Sequence, residues 1–217
     1  MTRFIFDATT TINGWIGDEQ NSLAWLFAVP GGTEPDPELV PQSATVMVEG
    51  STTYEWMLAE LDLIQRPEKW TTFSQGRPTF VFTTRELPVP EGADVRFVRG
   101  LVGDTLAVIQ DAAGDGDVWL VGGGELVGQF FDAGALDEVA LSIAPVALGG
   151  GAPLLPRRIG DGRSAALPGI TSPLPREGIH RRRPRRVTNR RARPACRRPG
   201  GPGRPAGELP PLQPPWW

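Results

Sequence analysis

Apolar runs of strand length alternate with helical segments through the first 160 residues of the chain. The predicted strands cover residues 3–11, 44–50, 78–85, 95–100, 118–121 and 139–150, and the predicted helices cover residues 18–29, 51–64, 104–116 and 125–136. Parallel strands need long crossover connections, which helices usually supply, so this alternation favours a parallel sheet. The sequence therefore predicts an α/β fold with a mainly parallel central sheet.

The alternation stops near residue 161, where the composition changes. Residues 1–160 hold 22 acidic and 9 basic residues, a net charge of −13, whereas residues 161–217 hold 3 acidic residues and 13 arginines, a net charge of +10. A segment so rich in Arg, Pro and Gly cannot bury enough apolar surface to offset its chain entropy. We therefore predict a domain at residues 1–160 and a disordered tail at residues 161–217.

Three interpretations of the tail remain open. Arg, Pro, Gly and Ala are the residues that GC-rich codons specify, so a GC-rich gene translated out of frame would give this composition. We favour that interpretation over an inert tail, and over an arm that binds nucleic acid through its arginines. No aromatic side chains alternate with these arginines, and the many prolines exclude a helix.

Residues 1–160 lack several types of reactive side chain. They contain no His and no Cys, and Lys69 is their only lysine. Zinc and iron sites built from imidazole or thiolate are therefore excluded, as are nucleophilic sites that pair Ser or Cys with His. The single cysteine, Cys196, excludes an intramolecular disulfide and fits a reducing compartment. No apolar run is long enough to cross a membrane and no secretory signal is recognisable, so the cytoplasm is the expected location.

Glycines and hydroxyl side chains follow three of the predicted strands, in the segments Gly122–Gly124, Gly50–Thr53 and Thr83–Arg85. The Walker pattern, which needs Lys after its last glycine, is not met, and the Rossmann pattern fails at Val127. Free N–H groups at helix N-termini and a guanidinium are nevertheless suited to phosphate. Because ligands of parallel sheets lie beyond the carboxyl ends of the strands, the three segments together predict a ligand with several phosphates.

Four sequence segments match the pattern of a known superfamily. They are TTTINGWIGDEQNSLAWL, MVEGSTTYEWM, VFTTR and VGGGELVGQFFDAGALDEVALSIAPVALGGGAPLL, and they cover most of residues 1–158. Together they resemble the dihydrofolate reductase-like superfamily, and most closely the reductase domain at the C-terminus of the bacterial bifunctional riboflavin-biosynthesis deaminase-reductase. The resemblance implies a three-layer sandwich, a homodimer, and an NADPH-dependent reductase of a pyrimidine or pteridine-like heterocycle. Hydride transfer is the work of the cofactor, which fits a domain without reactive side chains.

The resemblance also implies which residues contact the cofactor. The pyrophosphate would meet Gly122, Gly123, Gly124, Glu125, Leu126 and Val127. The adenosine phosphates would meet Gly50, Ser51, Thr52, Thr53, Thr83, Thr84 and Arg85, with Arg85 favouring NADPH over NADH. The nicotinamide would be bordered by Asn13, Gly14, Trp15 and Ile16, with Trp15 also placed to contact the substrate.

The chain departs from the superfamily pattern at several positions. Dihydrofolate reductases carry a carboxylate where this chain has Ser22, which argues against dihydrofolate as the substrate although Ser22 remains a candidate substrate contact. Asp7 is an unusual carboxylate within a strand, and we expect it to face the substrate. Ser51 and Thr52 stand where relatives place Arg or Lys, which weakens the phosphate site. The tail also lacks the family's last strands, so the sheet is expected to end in an exposed edge.

These observations leave the catalytic residue unassigned and predict no metal. The alternatives to the reductase of a riboflavin-related heterocycle are a dihydrofolate reductase proper, a nucleic-acid-binding protein acting through the Arg-rich tail, and an inactive truncated remnant.

Overall fold

A parallel sheet with helices on both faces forms the structure, a computed structural model that describes residues 2–29 and 41–159. The strands are β1 (Phe4–Thr11), β2 (Trp15–Gly17), β3 (Ala44–Gly50), β4 (Thr79–Phe82), β5 (Val95–Val98), β6 (Asp117–Gly122), β7 (Glu138–Ala144) and β8 (Ala152–Pro153). The helices are α1 (Ala24–Phe27), α2 (Ser51–Glu60), α3 (Pro67–Ser74), α4 (Val102–Ala113) and α5 (Gly124–Asp132). The predicted tail at residues 161–217 lies outside the described residues.

Six strands form the main sheet in the order β5-β4-β3-β6-β1-β7. Every neighbouring pair in this sheet is parallel, whereas β2 and β8 form a separate antiparallel pair. The predicted α/β class with a mainly parallel central sheet is confirmed. Within the described residues β7 pairs only with β1, and β8, which follows it, pairs with β2 instead.

The two faces of the sheet bury different hydrophobic clusters, because side chains alternate between faces along each strand. Val46 and Val48 point to the cluster under α4 and α5, whereas Met47 points to the cluster under α2 and α3. Each face is therefore covered by two helices, which gives three layers. The second cluster is rich in aromatic residues, and its members Tyr54, Trp70, Phe73 and Trp119 contact one another with ring centroids 5.8–6.2 Å apart.

Several predicted element boundaries are wrong. The helix predicted over residues 18–29 is reduced to the single turn Ala24–Phe27, since residues 18–22 fold into a turn in which the Asp18 carboxylate accepts from backbone N–H groups. No element is predicted between residues 64 and 78, yet the polar stretch around Lys69 is helix α3, and its Trp70 is buried. Proline at the first helical position suits a helix start. Among the described residues, no helix is long and apolar enough to span a bilayer.

The start of α2 also differs from the prediction. Thr52 and Glu55 have capping-box spacing in the sequence, which predicts an N-cap at Thr52, but the N-cap is Gly50 and no side chain caps the helix. Glu55 instead binds Arg85 with both carboxylate oxygens. The first turn of α2 therefore keeps its backbone N–H groups free of side-chain partners.

Candidate functional site

The three glycine- and hydroxyl-rich segments lie side by side at the carboxyl edge of the sheet. Gly50 at the end of β3 pairs with Phe82 at the end of β4, and Glu49 pairs with Gly122 at the end of β6. The segments Gly50–Thr53, Thr83–Arg85 and Gly122–Gly124 continue from these three strand ends. Their placement on one edge is the arrangement expected of a shared ligand site.

The N-termini of α2 and α5 meet at the centre of this edge. A methyl group built on Gly50 would lie 3.8 Å from both Gly122 O and Gly123 N, so the two N-cap segments are in van der Waals contact. Thr53 Oγ1 would lie 3.2 Å from a methyl group on Gly122. Both N-caps, Gly50 and Gly123, lack a side-chain capping bond. Two sets of unpaired N–H groups and two positive helix ends therefore face the same region, which suits an anion.

The three glycines of the triplet serve two different purposes. A methyl group on Gly123 would meet only Thr53 Oγ1, at 3.9 Å, so the backbone there is open to an approaching ligand. A methyl group on Gly124 would instead overlap the carbonyl oxygens of Pro153 and Leu154. The absence of a side chain at Gly124 is therefore needed for packing against Pro153 and Leu154, whereas the sequence interpretation had explained this glycine by a ligand contact.

The residues that follow the triplet contribute less than predicted. Leu126 and Val127 bury their side chains in the core cluster under α4 and α5, and the Val127 N–H donates to Gly123 O at 3.1 Å. Val127 thus offers neither a side chain nor a free N–H, and its assignment as a cofactor contact has to be corrected. Glu125 is exposed, and the Arg157 guanidinium, by hydrogen bonding to its carboxylate, lowers the pKa of Glu125.

The segment from β8 to Arg157 crosses the start of α5, and we call residues 152–157 the strap. Arg157 binds Glu125 and Asp132 on α5, with N–O distances of 2.7–2.9 Å. Its guanidinium lies flat over Gly128, where a methyl group would come within 2.7 Å of Cζ. The strap is therefore tied to both ends of the helix.

The corner at the end of β4 holds the only basic side chain of the three segments. Thr83 is buried and its Oγ1 accepts from the Arg85 N–H at 3.0 Å, while Thr84 is exposed. The Arg85 guanidinium donates to both oxygens of Glu55, at 2.8 and 2.5 Å. The predicted phosphate contact is thus present at the expected place but already engaged by a carboxylate.

The predicted nicotinamide-bordering residues form the β1–β2 turn and β2. Gly14 has φ of +85°, a left-handed conformation that suits glycine, and Trp15 in β2 pairs with Pro153 in the strap. Leu154 N–H donates to Gly14 O at 2.9 Å. Because Pro153 and Leu154 also contact Gly124, the β1–β2 turn lies next to the glycine triplet. Ile16 is half-buried in the same strand.

The Asn13 side chain is hydrogen bonded to a neighbouring loop. Its Nδ2 donates to Leu148 O at 2.7 Å, and its Oδ1 accepts from Leu148 N at 3.2 Å and from Thr11 Oγ1 at 2.9 Å. Asn13 therefore joins the β1–β2 turn to the loop after β7.

We expect Asn13→Ala to lower the free energy of unfolding by about 1–2 kcal/mol, because two backbone groups of Leu148 lose their partner. Chemical denaturation measures this change, and faster hydrogen exchange at Leu148 locates it. Asn13→Asp serves as the matched variant, since it keeps the acceptor for Leu148 N and loses only the donor. Equal exchange at Leu148 in Asn13→Ala and the unmodified chain would contradict the assignment.

Asp7 and Ser22, which were predicted to contact the substrate, lie in different parts of the fold. Asp7 follows Phe6, which pairs with Leu120, so it lies level with Val121 and one residue from the glycine triplet; it points away from the core that holds Phe6. Burial raises the pKa of Asp7 to about 7. Ser22 lies just before α1, where its Oγ accepts from Ala24 N at 3.0 Å.

A second carboxyl group, Glu49, was missed by the sequence interpretation. It is fully buried, neither side-chain oxygen has a hydrogen-bond partner, and burial raises its pKa to about 8. Glu49 and Asp7 stand on opposite sides of the end of β6. The signal in the sequence was a lone charge at the end of an otherwise apolar strand, ATVMVEG.

Comparison with known proteins identifies similar sequences and folds. The model of the family described as the RibD C-terminal domain matches residues 64–163. The crystal structure of a putative riboflavin biosynthesis protein from Shewanella sp. PV-4 superposes with a TM-score of 0.58, at 26% identity over 74% of this chain and 86% of that one. The chain resembles the RibD C-terminal domain. The resemblance inferred from the four sequence segments is thereby confirmed.

Two curated relatives of this RibD-like chain come from Bacillus subtilis strain 168, and both are described as uncharacterized. YwjB is 26% identical over 144 residues, which are 66% of this chain and 77% of YwjB. YyaP is 26% identical over 155 residues, which are 70% of this chain and 79% of YyaP. The similarity therefore extends over most of the length of both relatives.

Proposed function

We propose that the chain is an NADPH-dependent reductase of a pyrimidine or pteridine-like heterocycle, related to the reductases of riboflavin biosynthesis. The observation that carries the proposal is the meeting of two uncapped helix N-termini, Gly50–Thr53 and Gly123–Leu126, beside the Thr83–Arg85 corner. We also propose that the chain acts in the cytoplasm and forms a homodimer.

The residues at this edge fit a dinucleotide. Gly123 leaves the backbone open, and a methyl group on Gly50 or Gly122 would instead contact the other N-cap segment or Thr53, next to the free N–H groups. In the proposal the N–H groups of Gly124 to Leu126 hold the pyrophosphate, while Ser51, Thr52, Thr53, Thr83 and Thr84 supply hydroxyl donors. Arg85 is the cation nearest to these hydroxyls in the sequence.

Bound NADPH would supply a hydride, and the chain would position the two reactants. Trp15 and Ile16, attached to the strap through Pro153, would form the wall beside the nicotinamide. Asp7 stands on the sheet face one residue from the triplet, and a carboxyl group with a pKa of about 7 can both donate and accept a proton near neutrality. We propose Asp7 as the group that hydrogen bonds to the heterocycle, with Ser22 at the start of α1 as a second contact.

Titration of the purified chain with NADPH, followed by cofactor fluorescence and by melting temperature, tests the proposal. We expect saturable binding that Gly123→Ala weakens by about tenfold or more, because the added methyl group occupies the open space where the ligand approaches. The melting temperature of the free variant should stay close to that of the unmodified chain. Thr53→Val, which removes one hydroxyl beside Gly122, provides a second variant.

Gly103→Ala is the matched control, since a methyl group at Gly103, at the start of α4 and away from the proposed site, meets nothing within 4 Å. It should bind NADPH as the unmodified chain does. A folded chain whose fluorescence and melting temperature do not respond to NADPH would reject the proposal.

A further inference from the structure

The ion pair between Arg85 and Glu55 engages the only basic side chain of the segments Gly50–Thr53, Thr83–Arg85 and Gly122–Gly124. Both guanidinium nitrogens, Nη1 and Nη2, donate to the Glu55 carboxylate, at 2.8 and 2.5 Å. The two side chains remain 53% and 39% exposed, so a ligand in solution can reach the pair. A two-point contact of this kind is also the geometry in which arginine binds phosphate.

Both partners are held in place by separate parts of the fold. Glu55 lies in α2, one turn after the Gly50–Thr53 segment, so the helix that opens the proposed site also carries the acid. Arg85 is fixed through its backbone, which donates to the buried Thr83 Oγ1 at 3.0 Å. The Thr83 N–H in turn donates to Val98 O in the neighbouring strand at 3.0 Å.

Competition from Glu55 disfavours an extra phosphate on Arg85. The two acids Glu55 and Glu86 and the two exposed arginines Arg85 and Arg99 at this end of β4 and β5 give a net charge of zero, and Ser51 and Thr52 add no cation. A phosphate that binds both guanidinium nitrogens of Arg85 must displace the Glu55 carboxylate. The displaced carboxylate then stays near the phosphate and repels it. A ribose hydroxyl, by contrast, can donate to a carboxylate, which is how acidic residues recognise NADH in other dinucleotide-binding folds.

We propose that Glu55 determines the cofactor preference of this chain, by competing with the 2′-phosphate of NADPH for Arg85 and by accepting a hydrogen bond from the 2′-hydroxyl of NADH. The inference depends on the proposed function, because it assumes a nicotinamide dinucleotide at the strand ends. It modifies the expectation that Arg85 alone favours NADPH. Because the 2′-phosphate of NADPH has to break the Arg85–Glu55 ion pair, it loses part of its binding free energy. The two cofactors should therefore bind the unmodified chain with similar affinity.

The experiment compares dissociation constants for NADPH and NADH in the unmodified chain and three variants. In the unmodified chain the two constants should agree within about tenfold, since an exposed ion pair offsets much of one phosphate contact. Glu55→Gln should bind NADPH about five- to tenfold more tightly and NADH more weakly, with the larger change at low salt. Arg85→Gln should lose affinity for NADPH and keep affinity for NADH.

The Arg96–Asp94 pair provides the matched control. It has the same two-point geometry, at 2.9 and 2.7 Å, and a similar exposure of 46% and 50%, but it lies at the opposite end of the strands. Asp94→Asn should therefore leave the ratio of the two dissociation constants unchanged.

The outcomes separate this inference from the proposed function. If neither cofactor binds the folded chain, the proposed function fails. If both bind and Glu55→Gln leaves their ratio as it was, or if Asp94→Asn shifts the ratio equally, the role of Glu55 is overturned while the reductase proposal stands.

Discussion

Replacement of Glu49 by methionine is expected to raise the free energy of unfolding by about 4 kcal/mol at pH 8. Glu49 pairs with Gly122 and Val81 in the neighbouring strands, its side chain is fully buried, and neither carboxyl oxygen has a hydrogen-bond partner within the described residues. Burial raises its pKa from 4.5 to about 8. Methionine has a similar length and no charge, so it removes the cost of desolvation and keeps the volume filled.

The expected gain depends on pH in a defined direction. Because the folded state binds the Glu49 proton more tightly than the unfolded state does, the free energy of unfolding falls as the pH rises from 4.5 to about 8. Above that range the ionisation of Glu49 no longer changes the free energy of unfolding. Glu49→Met should therefore stabilise least near pH 4.5 and most at pH 8 and above. In Glu49→Met the free energy of unfolding should still fall with pH because of Asp7, whose pKa is raised to about 7. That decline should end near pH 7, one pH unit below the end of the decline caused by Glu49.

Urea denaturation between pH 4.5 and 8.5 measures both effects. Glu49→Gln separates them, because the amide cannot ionise but remains a buried polar group without a partner; it should flatten the decline and gain less stability. The exposed Glu60 in α2 provides the control, and Glu60→Gln should keep the full pH dependence. A Glu49→Met variant whose stability falls with pH as steeply as that of the unmodified chain would contradict the assignment.

Gly124→Ala is expected to lower the free energy of unfolding by about 3 kcal/mol. The new methyl group would overlap the carbonyl oxygens of Pro153 and Leu154, which are backbone atoms of the strap. The strap cannot move away easily, because Leu154 N–H is bonded to Gly14 O and Arg157 is bonded to Glu125 and Asp132 on α5. The same substitution should weaken NADPH binding, since the start of α5 would shift.

A double-mutant cycle checks this explanation. Arg157→Ala releases the strap from α5, so Gly124→Ala should cost less free energy in that background than in the unmodified chain. Gly103→Ala, in which the methyl group meets open space, should leave stability within about 0.5 kcal/mol of the unmodified chain. Strict additivity of Gly124→Ala and Arg157→Ala would show that the strap is not the obstacle.

Much of the candidate site followed from topology alone. Once β3, β4 and β6 were predicted to be parallel, the groups after each strand had to share one edge, and the structure places Gly50, Thr83 and Gly122 there. The prediction was less successful for local detail. Helix α3 carries few residues with a clear period, and its stability comes from Trp70 and Phe73 packing into a cluster built by distant strands.

Side-chain roles within the site were harder to predict than positions. Capping-box spacing is a local pattern, but Glu55 instead meets Arg85, 30 residues further along the chain. The resemblance implied that Val127 contacts the cofactor, yet its side chain faces the core. In both cases a long-range partner competed with the local one.

The amino-acid sequence by itself determined the α/β class, the parallel sheet and the edge at which its glycines and hydroxyls gather. These depend on the spacing of apolar residues and on the direction of the strands, which are properties of neighbouring positions. Only the tertiary structure decided that Gly124 makes room for the strap, that Arg85 is held by Glu55, and that Glu49 is buried without a partner. Such roles depend on contacts between residues far apart in the chain, and the sequence pattern around each residue does not record them.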